Sequence, residues 1–504
     1  MKRTHSSADS PPRTTIDSAP VRALALVILL TAAALREAVQ LTSLTNSDVW
    51  CHLRTGLWIL QNHAAPRTGL FSQFLSLPWT DSTWGYDGIQ AAMYQLFGLR
   101  SLPLLAMALQ VGLAAALFLL ARGSRQTFWP AVLLSASAQY ALATSTAQPA
   151  TCSIILFAVE LALLLRSRRT GEFRPLLWLP LLFFFWANLH ISFVYGIFAS
   201  TLLLVVTAIE SIRSRGGATW CAERALAVPV PKLVAITAGS LLASLCSPYS
   251  YHLYRAWFTN ATSAAFRFVA ELHANTFRRP QDYVLLLLAM GAFVAFGYQK
   301  SQGRSRDPFA YSLMLAAMSL SFAIQRDRWV AVLVSVAIIA NASTSEPSRP
   351  AQEPGGSPWS RQGLAVAIVT FIVFVGAATQ IPAAGALMEK TSDAFPAQAA
   401  DYVRQNHLPQ PLFNEYQWGS FLTWYLPEYP VAIDARADLY GDDLNLAYFE
   451  LMNGYLSPES NTSFARAHTL LLKRNSGLAE AVRGMTQFTV VYSDKLAIVA
   501  VRKD

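Results

Sequence analysis

The chain has 504 residues, of which 53% are hydrophobic and only 14% charged, and it carries 13 Trp and 28 Phe. A soluble domain has roughly a quarter of its residues charged, so this composition excludes a large soluble enzyme and indicates a polytopic membrane protein. The net charge of +9 is unevenly spread: residues 1–384 hold 29 Lys+Arg against 16 Asp+Glu, and residues 385–504 hold 10 against 14. The positive excess belongs to a membrane half and its loops, as orientation signals do, and no nucleic-acid partner is expected.

In chain order, a polar tail at 1–21 precedes the first apolar run. Ala32–Ala34 resembles a small-residue cleavage site, but the long lead-in and the many later spans favour an uncleaved anchor. A membrane helix needs about 20 mostly apolar residues. Candidate spans lie at 22–41, 101–121, 129–147, 149–165, 175–189, 191–210, 233–247, 283–298, 309–324, 329–341 and 362–381. The sequence thus predicts about eleven spans in a membrane domain of 22–384, with 175–210 as a hairpin turning at Asn188 and His190. Residues 342–361, rich in Ser, Pro, Gly and Glu, read as a linker.

Sidedness follows from the basic residues. With a cytoplasmic N-terminus, the inner segments hold Lys2, Arg3, Arg13, Arg22, Arg122, Arg125, Arg166, Arg168, Arg169, Arg174, Arg213, Arg215, Arg224, Lys232, Lys300, Arg304, Arg306, Arg349 and Arg361. That is 19, against nine in the outer loops. An eleven-span layout in the cell inner (plasma) membrane then puts the loop 42–100 and residues 385–504 outside.

The first outer loop is too long for a mere connection. Leu53, Leu57 and Leu60 form one helical stripe, which predicts a helix lying on the membrane surface. Pro66 ends it, Leu77-Pro78-Trp79 breaks the chain again, and a second amphipathic piece runs from Thr83 to Phe97. Residues 385–504 read as a small α/β extracytoplasmic domain. Strands are expected at Leu412–Asn414 and Val431–Asp434, a helix at Trp418–Leu426 ended by Pro427, and a hairpin of Phe488–Tyr492 and Ala497–Val501 around Ser493-Asp494-Lys495.

Unusual polar residues collect at the outer ends of these spans. They are Asp48, Trp50, His52 and Arg54; Asp81, Trp84 and Asp87; Gln148; Asn188 and His190; Tyr249 and His252; Glu271 and His273; and Arg326, Asp327 and Arg328. Inside the spans acids are few, Glu37 and Glu160. A shared outer cavity is one reading; ordinary loop residues and interface anchors are the other. The four cysteines (Cys51, Cys152, Cys221, Cys246) form no C-x-x-C pair, and G-x-x-x-x-G-K-[ST] and H-E-x-x-H are absent, so an ATP-driven pump or zincin-type protease has no support.

Several segments carry a resemblance: Asp48-Val49-Trp50-Cys51-His52-Leu53-Arg54-Thr55-Gly56; Trp186-Ala187-Asn188-Leu189-His190; Ser247-Pro248-Tyr249; and Gly419 through Trp424 and Pro427 to Asp434, Arg436 and Tyr440. With an acid at the outer end of the first span, a long amphipathic first loop and an outer C-terminal domain, the chain resembles the GT-C class of integral-membrane glycosyltransferases. More narrowly it resembles an uncharacterised bacterial branch of that class. Cys51 stands where that branch commonly has an aromatic, and Ser247 where it has Asn.

The resemblance implies a mainly α, GT-C-like helical bundle and hexosyl or pentosyl transfer from a polyprenyl-phosphate-linked sugar to an envelope glycan, lipid or protein. Such transfer needs a base near the acceptor oxygen and positive charge near the departing phosphate. The resemblance offers Asp48 as base or acceptor-orienting group and Glu271 as second acid; Asp48 alternatively caps a helix or pairs with Arg54. Arg326 and Arg328 are candidates for the donor phosphate and lipid, or snorkel to headgroups. His190 and Asn188 would orient phosphate or sugar, or satisfy a tight turn. Trp50, His52, Arg54 and Asp87 would serve the acceptor or support the first loop. Asp434, Arg436 and Asp438 would bind acceptor sugar or brace the domain. No cofactor is certain; a divalent metal is compatible with convergent acids and histidines, but no spacing demands one. A flippase or transporter of a lipid-linked glycan and a non-catalytic membrane scaffold are the alternatives. The absence of visible repeats and the scarcity of mid-span polar groups count against transport.

Overall fold

The computed structural model describes residues 15–122, 128–143, 149–215, 229–264, 268, 270–303, 307–342 and 361–503. The tail with Lys2, Arg3 and Arg13, the linker at 343–360 with Arg349, and Arg125, Gln148, Cys221, Arg224, Arg304 and Arg306 lie outside them.

Helix α1 (Ala19–Gln40) leads into two helices of the first loop, α2 (Ser47–Asn62) and α3 (Trp84–Phe97). Then come α4 (Ser101–Ala121), α5 (Phe128–Ala141), α6 (Pro149–Thr170), α7 (Leu179–Leu189), α8 (Phe193–Arg215) and α9 (Val230–Ser244). Helix α10 (His252–Thr262) lies in the next long loop, before α11 (Pro280–Ser301), α12 (Pro308–Ala323), α13 (Arg328–Ala342) and α14 (Arg361–Thr379). Apart from α2, α3 and α10, each of these helices overlaps one of the eleven apolar runs expected as spans, the end of 129–147 lying outside the described residues. By length and composition six stretches suffice to cross a membrane: α1, the continuous run Trp84–Ala121, α6, α8, α11 and α14. The segments Arg174–Leu189, Val230–Ser244 and Pro308–Ala323 are shorter apolar helices.

The bundle is organised around α13. Its sequence, Trp329-Val330-Ala331-Val332-Leu333-Val334, is apolar all round, the pattern of a helix enclosed on every side. Every residue of α13 except Ile339 and Asn341 is buried, against α11, α12, α4, α5 and α6. Outward rows such as Leu24 and Ile28 of α1, Leu287 and Val294 of α11, and Phe371 and Ile372 of α14 are exposed, the apolar belt that an integral membrane protein turns to lipid.

The carboxy-terminal region opens with α15 (Ala384–Ser392) and α16 (Ala397–Gln405). It continues through β1 (Leu412–Asn414), α17 (Tyr416–Tyr425), α18 (Ala437–Met452), α19 (Thr462–Arg466), β2 (Thr469–Lys473), α20 (Gly477–Gly484), β3 (Phe488–Ser493) and β4 (Ala497–Arg502). The sheet order is β1-β2-β4-β3, with β1 and β2 parallel and the rest antiparallel.

Three expectations need correction. The segment Val431–Asp434 is not a strand: Val431 makes only an isolated bridge with Ser72 of the first loop. The Asn414 side chain bonds Ala432 N–H and Ile433 C=O at 2.8 Å each, so a side chain takes the place of a ladder. Strand β2 was not expected, because Leu470-Leu471-Leu472 lacks the β-branched enrichment and alternation that mark a strand. The α2 stripe is not turned to the bilayer at Leu53 and Leu57. Leu53 is fully buried and Leu57 packs beside it in a core shared with α1, α16, α17 and β4. The ring of Trp50 on the same face meets Phe395, Phe421 and Trp424 at centroid distances of 6.1, 5.4 and 4.7 Å.

Candidate active site at the junction of bundle and C-terminal domain

A chain of local bonds positions Asp48. Leu41 ends α1 in the left-handed region (φ 54°). The Glu37 carboxylate then holds the turn that follows, accepting from Ser43 N–H at 2.9 Å and from the Thr42 hydroxyl. Glu37, an acid expected within the first span, is therefore a turn lock. Asn46 caps α2, its side chain accepting from Asp48 N–H at 2.9 Å, as N-cap residues do. Asp48 thus stands in the first turn, half-buried, with the Ser47 hydroxyl donating to Oδ1 at 3.1 Å. It forms no ion pair with Arg54, whose guanidinium lies over the Phe71 ring at 4.6 Å.

His52 follows one turn later. Its Nδ1 lies 2.8 Å from Asp87 Oδ1, a contact that needs α2 and α3 close together. Gly56 permits it: a Cβ there would lie 1.9 Å from the Asp87 carbonyl oxygen. Asp87 and Asp81 are each 1% exposed, and Thr83 bonds Asp81 through both N–H and hydroxyl, at 3.0 and 2.9 Å. Burial, with the neighbouring Asp87 carboxyl, pushes the Asp81 pKa well up.

On the facing side, the turn Ala270–Leu272 carrying Glu271 packs on the turn Gln325–Asp327 carrying Arg326. Gln325 N–H donates to His273 C=O at 2.8 Å, and Asn275 N–H to Phe322 C=O at 3.0 Å. Burial raises the Asp48 pKa above the usual carboxylate range; the Glu271 charge adds to this, while His52, Ser47 and Arg326 oppose it. Asp48, Glu271 and Arg326 are therefore within electrostatic reach of one another at one end of the bundle. Glu271 and Arg326 are both exposed.

The neighbours of Arg326 are committed elsewhere. Arg328 is buried and pairs with Asp282 at 3.2 Å, joining α13 to α11, so it is withdrawn as a phosphate ligand. Asp327 accepts from the Tyr195 hydroxyl at 2.7 Å. Asn188 is withdrawn for the same reason. Its Oδ1 accepts from Trp84 Nε1 at 3.0 Å, and its Nδ2 donates to Phe184 C=O at 2.7 Å and Cys246 C=O at 3.0 Å.

His190 is different. Trp186 Nε1–H donates to Ser153 Oγ at 2.7 Å, and Ser153 Oγ lies 2.8 Å from His190 Nδ1. Ser192 N–H also faces Nδ1, at 3.3 Å. With two donors on Nδ1, the proton of the neutral ring belongs on Nε2, which leaves a hydrogen-bond donor. Burial, together with the charges of Arg326 and His52, pushes the His190 pKa down to about 3, so the ring stays neutral.

In the carboxy-terminal region Asp434 and Arg436 form a buried two-point pair, Nε–Oδ1 3.0 Å and a terminal nitrogen to Oδ2 2.6 Å. Arg436 also lies over Trp79 at 4.9 Å, and Trp79 Nε1 donates to Asp438 Oδ2 at 3.2 Å. Gly419 lets α17 approach this loop: a Cβ there would lie 2.0 Å from Ile433 C=O. Asp434, Arg436 and Asp438 thus clamp the first loop to the domain. Trp50 is likewise a packing anchor, sealed from any acceptor.

Two residues escaped the sequence reading. The hydroxyl of Tyr416, in the first turn of α17, is pushed up by burial and by the charges of Asp48, Asp434, Asp438 and Glu271, so it borders the same site from the domain side. Ser153, which fixes the His190 tautomer, is 37 positions away in sequence, and no local pattern reports such a contact. Among the described residues no group of three His, Cys, Asp or Glu side chains is arranged to hold a metal ion.

No protein family and no curated protein matches the chain in sequence. Solved structures do match in fold. An Archaeoglobus fulgidus oligosaccharyltransferase tethered to an acceptor peptide superposes with a TM-score of 0.54 at 8% identity, over 92% of this chain and 70% of that one. Its apo form gives 0.53 at 10% identity, over 90% and 69%. ArnT from Cupriavidus metallidurans, bound to undecaprenyl phosphate, gives 0.48 at 13% identity, over 97% and 98%. The chain has a GT-C-like fold, that of integral-membrane glycosyltransferases.

Proposed function

We propose that this protein is a GT-C-type glycosyltransferase. It moves a sugar from a polyprenyl-phosphate-linked donor to an envelope glycan, lipid or protein at the outer face of the plasma membrane. The observation that carries this reading is Asp48: a half-buried carboxylate of raised pKa, opposite Glu271 and Arg326, at the domain junction of a GT-C-like fold. The distribution of basic residues supports the outer placement of that junction.

In this reading Asp48 takes the proton of the acceptor hydroxyl, whose oxygen forms the new bond to the anomeric carbon. The bond from that carbon to the phosphate oxygen breaks, and the polyprenyl phosphate leaves with the electron pair. Arg326, which joins no ion pair among the described residues, stabilises the departing phosphate. The neutral His190 adds an Nε2–H donor, and Asp87 holds His52 beside Asp48. Glu271 orients the acceptor or sugar from the opposite turn.

The test is sugar transfer in membranes supplied with a polyprenyl-phosphate-linked sugar, comparing wild type with Asp48→Asn. Loss of transfer with unchanged insertion and melting supports the reading. Retained transfer by a well-folded variant overturns it.

A further inference from the structure

The groove beside Asp48 is basic. It has a volume of about 480 Å³ and is walled by Ser47 on one side and by Gln417, Lys473, Arg474, Asn475 and Lys495 of the carboxy-terminal domain on the other. Asp48, Glu271 and Arg326 do not line it. Ser47 joins the two places, because its hydroxyl donates to Asp48 Oδ1 at 3.1 Å.

The charge here runs against its surroundings. Residues 385–504 hold 10 Lys+Arg against 14 Asp+Glu, yet three of those ten cations border this one groove. Two of the three form no ion pair among the described residues, although the Glu415 carboxylate lies within electrostatic reach of Lys473. Lys473 Nζ donates to the neutral Gln417 Oε1 at 2.5 Å, and Arg474 donates to the Asp494 backbone carbonyl at 3.0 Å. Of the three, Lys495 alone forms an ion pair, with Asp393 at 3.5 Å and with both side chains well exposed. The other nearby acids are largely engaged: Glu415 accepts from Lys473 N–H at 3.0 Å, and Asp494 caps the β3–β4 turn through Leu496 and Ala497 N–H at 2.7 Å each and accepts from the Tyr492 hydroxyl at 2.9 Å. The first turn of α17, with Gln417 and Trp418, and that of α2, with Ser47, also meet at the groove, and helix starts favour negative charge.

We propose that this groove binds an anionic saccharide, one bearing carboxylate or phosphate groups, and presents a neighbouring hydroxyl to Asp48. Lys473 and Arg474 pair with its charges, Asn475 and Gln417 bond its hydroxyls, and the Ser47 edge leads to the reacting carboxylate. The acceptor role rests on the transferase reading above; the binding does not.

The test is equilibrium binding of oligogalacturonate, a carboxylated probe, to the purified full chain, with an uncharged maltooligosaccharide of equal length as control. Wild type and Asp48→Asn are expected to bind the charged probe alike, with affinity falling steeply as salt rises. The Lys473→Gln/Arg474→Gln/Lys495→Gln variant is expected to bind it at least tenfold more weakly while melting within about 2 °C of wild type. Equal binding by wild type and this variant, or no preference for the charged probe, overturns the proposal. Should the variant not fold, Lys473→Gln alone is measured, with a loss of at least threefold expected and no loss contradicting the groove. If Asp48→Asn binds normally yet transfers as well as wild type, the transferase reading fails and the groove stands.

Discussion

Two clusters of charge at opposite ends of the bundle are built in opposite ways. At the end assigned to the cytoplasm, Arg168 of α6 meets Glu210 of α8 at 2.7 and 2.5 Å and Asp307, the N-cap of α12, at 3.1 Å, all three side chains at most 7% exposed. Within this cluster each charge has a partner, and it ties three helices. At the other end Asp48, Glu271 and Arg326 feel one another without closing into pairs. Paired, buried charge reads as construction, and charge left open beside a groove reads as a place for a substrate.

The comparison is broken most severely at Asp48. Asp48→Asn is expected to lower sugar transfer by about 10²- to 10⁴-fold, the usual weight of a general base, with an unchanged melting temperature. At the closed end, Arg168→Met is expected to leave two buried carboxylates unpaired and to cost about 3–5 kcal/mol of stability, read as lost yield and a lowered melting temperature in detergent. Arg326→Gln is the open-end counterpart. It is expected to slow transfer by about 10²-fold, the scale of removing one charge-stabilising donor, while leaving melting unchanged because no pair is broken. A stability loss at Arg326 equal to that at Arg168 would erase the distinction.

The smallest effect sharpens the picture. With its raised pKa, Asp48 is protonated at higher pH than an ordinary carboxyl, so transfer is expected to fall off on the acid side above the usual carboxylate range. Removing the opposing anion by Glu271→Gln should move that limb to lower pH; removing the cation by Arg326→Gln should move it to higher pH. Shifts in the reverse sense in pH–rate profiles would separate these residues from Asp48.

The helices of the bundle were legible because apolar runs of span length admit few other outcomes. Leu412–Asn414 and the terminal hairpin were legible from β-branched and aromatic runs with a turn between them. What the sequence hid was partnership. Arg326 and Arg328 look equivalent beside Asp327, and only the position of Asp282 on α11 separates a guanidinium in no ion pair among the described residues from a structural one. Asn188 and His190 share a motif, yet three bonds consume the first while Ser153 and Ser192 set the second as a donor. The α2 stripe reads as lipid-facing because nothing local reports that Phe395, Phe421 and Trp424 arrive to cover it. Motif spacing gathered the candidate residues, and tertiary contacts sorted them.

The most direct measurement is transfer of labelled sugar from a polyprenyl-phosphate-linked donor to envelope acceptors in membranes holding equal amounts of wild-type or Asp48→Asn protein. Label entering the acceptors with the wild type and not with the variant is the predicted result. Label entering equally with both would contradict the account.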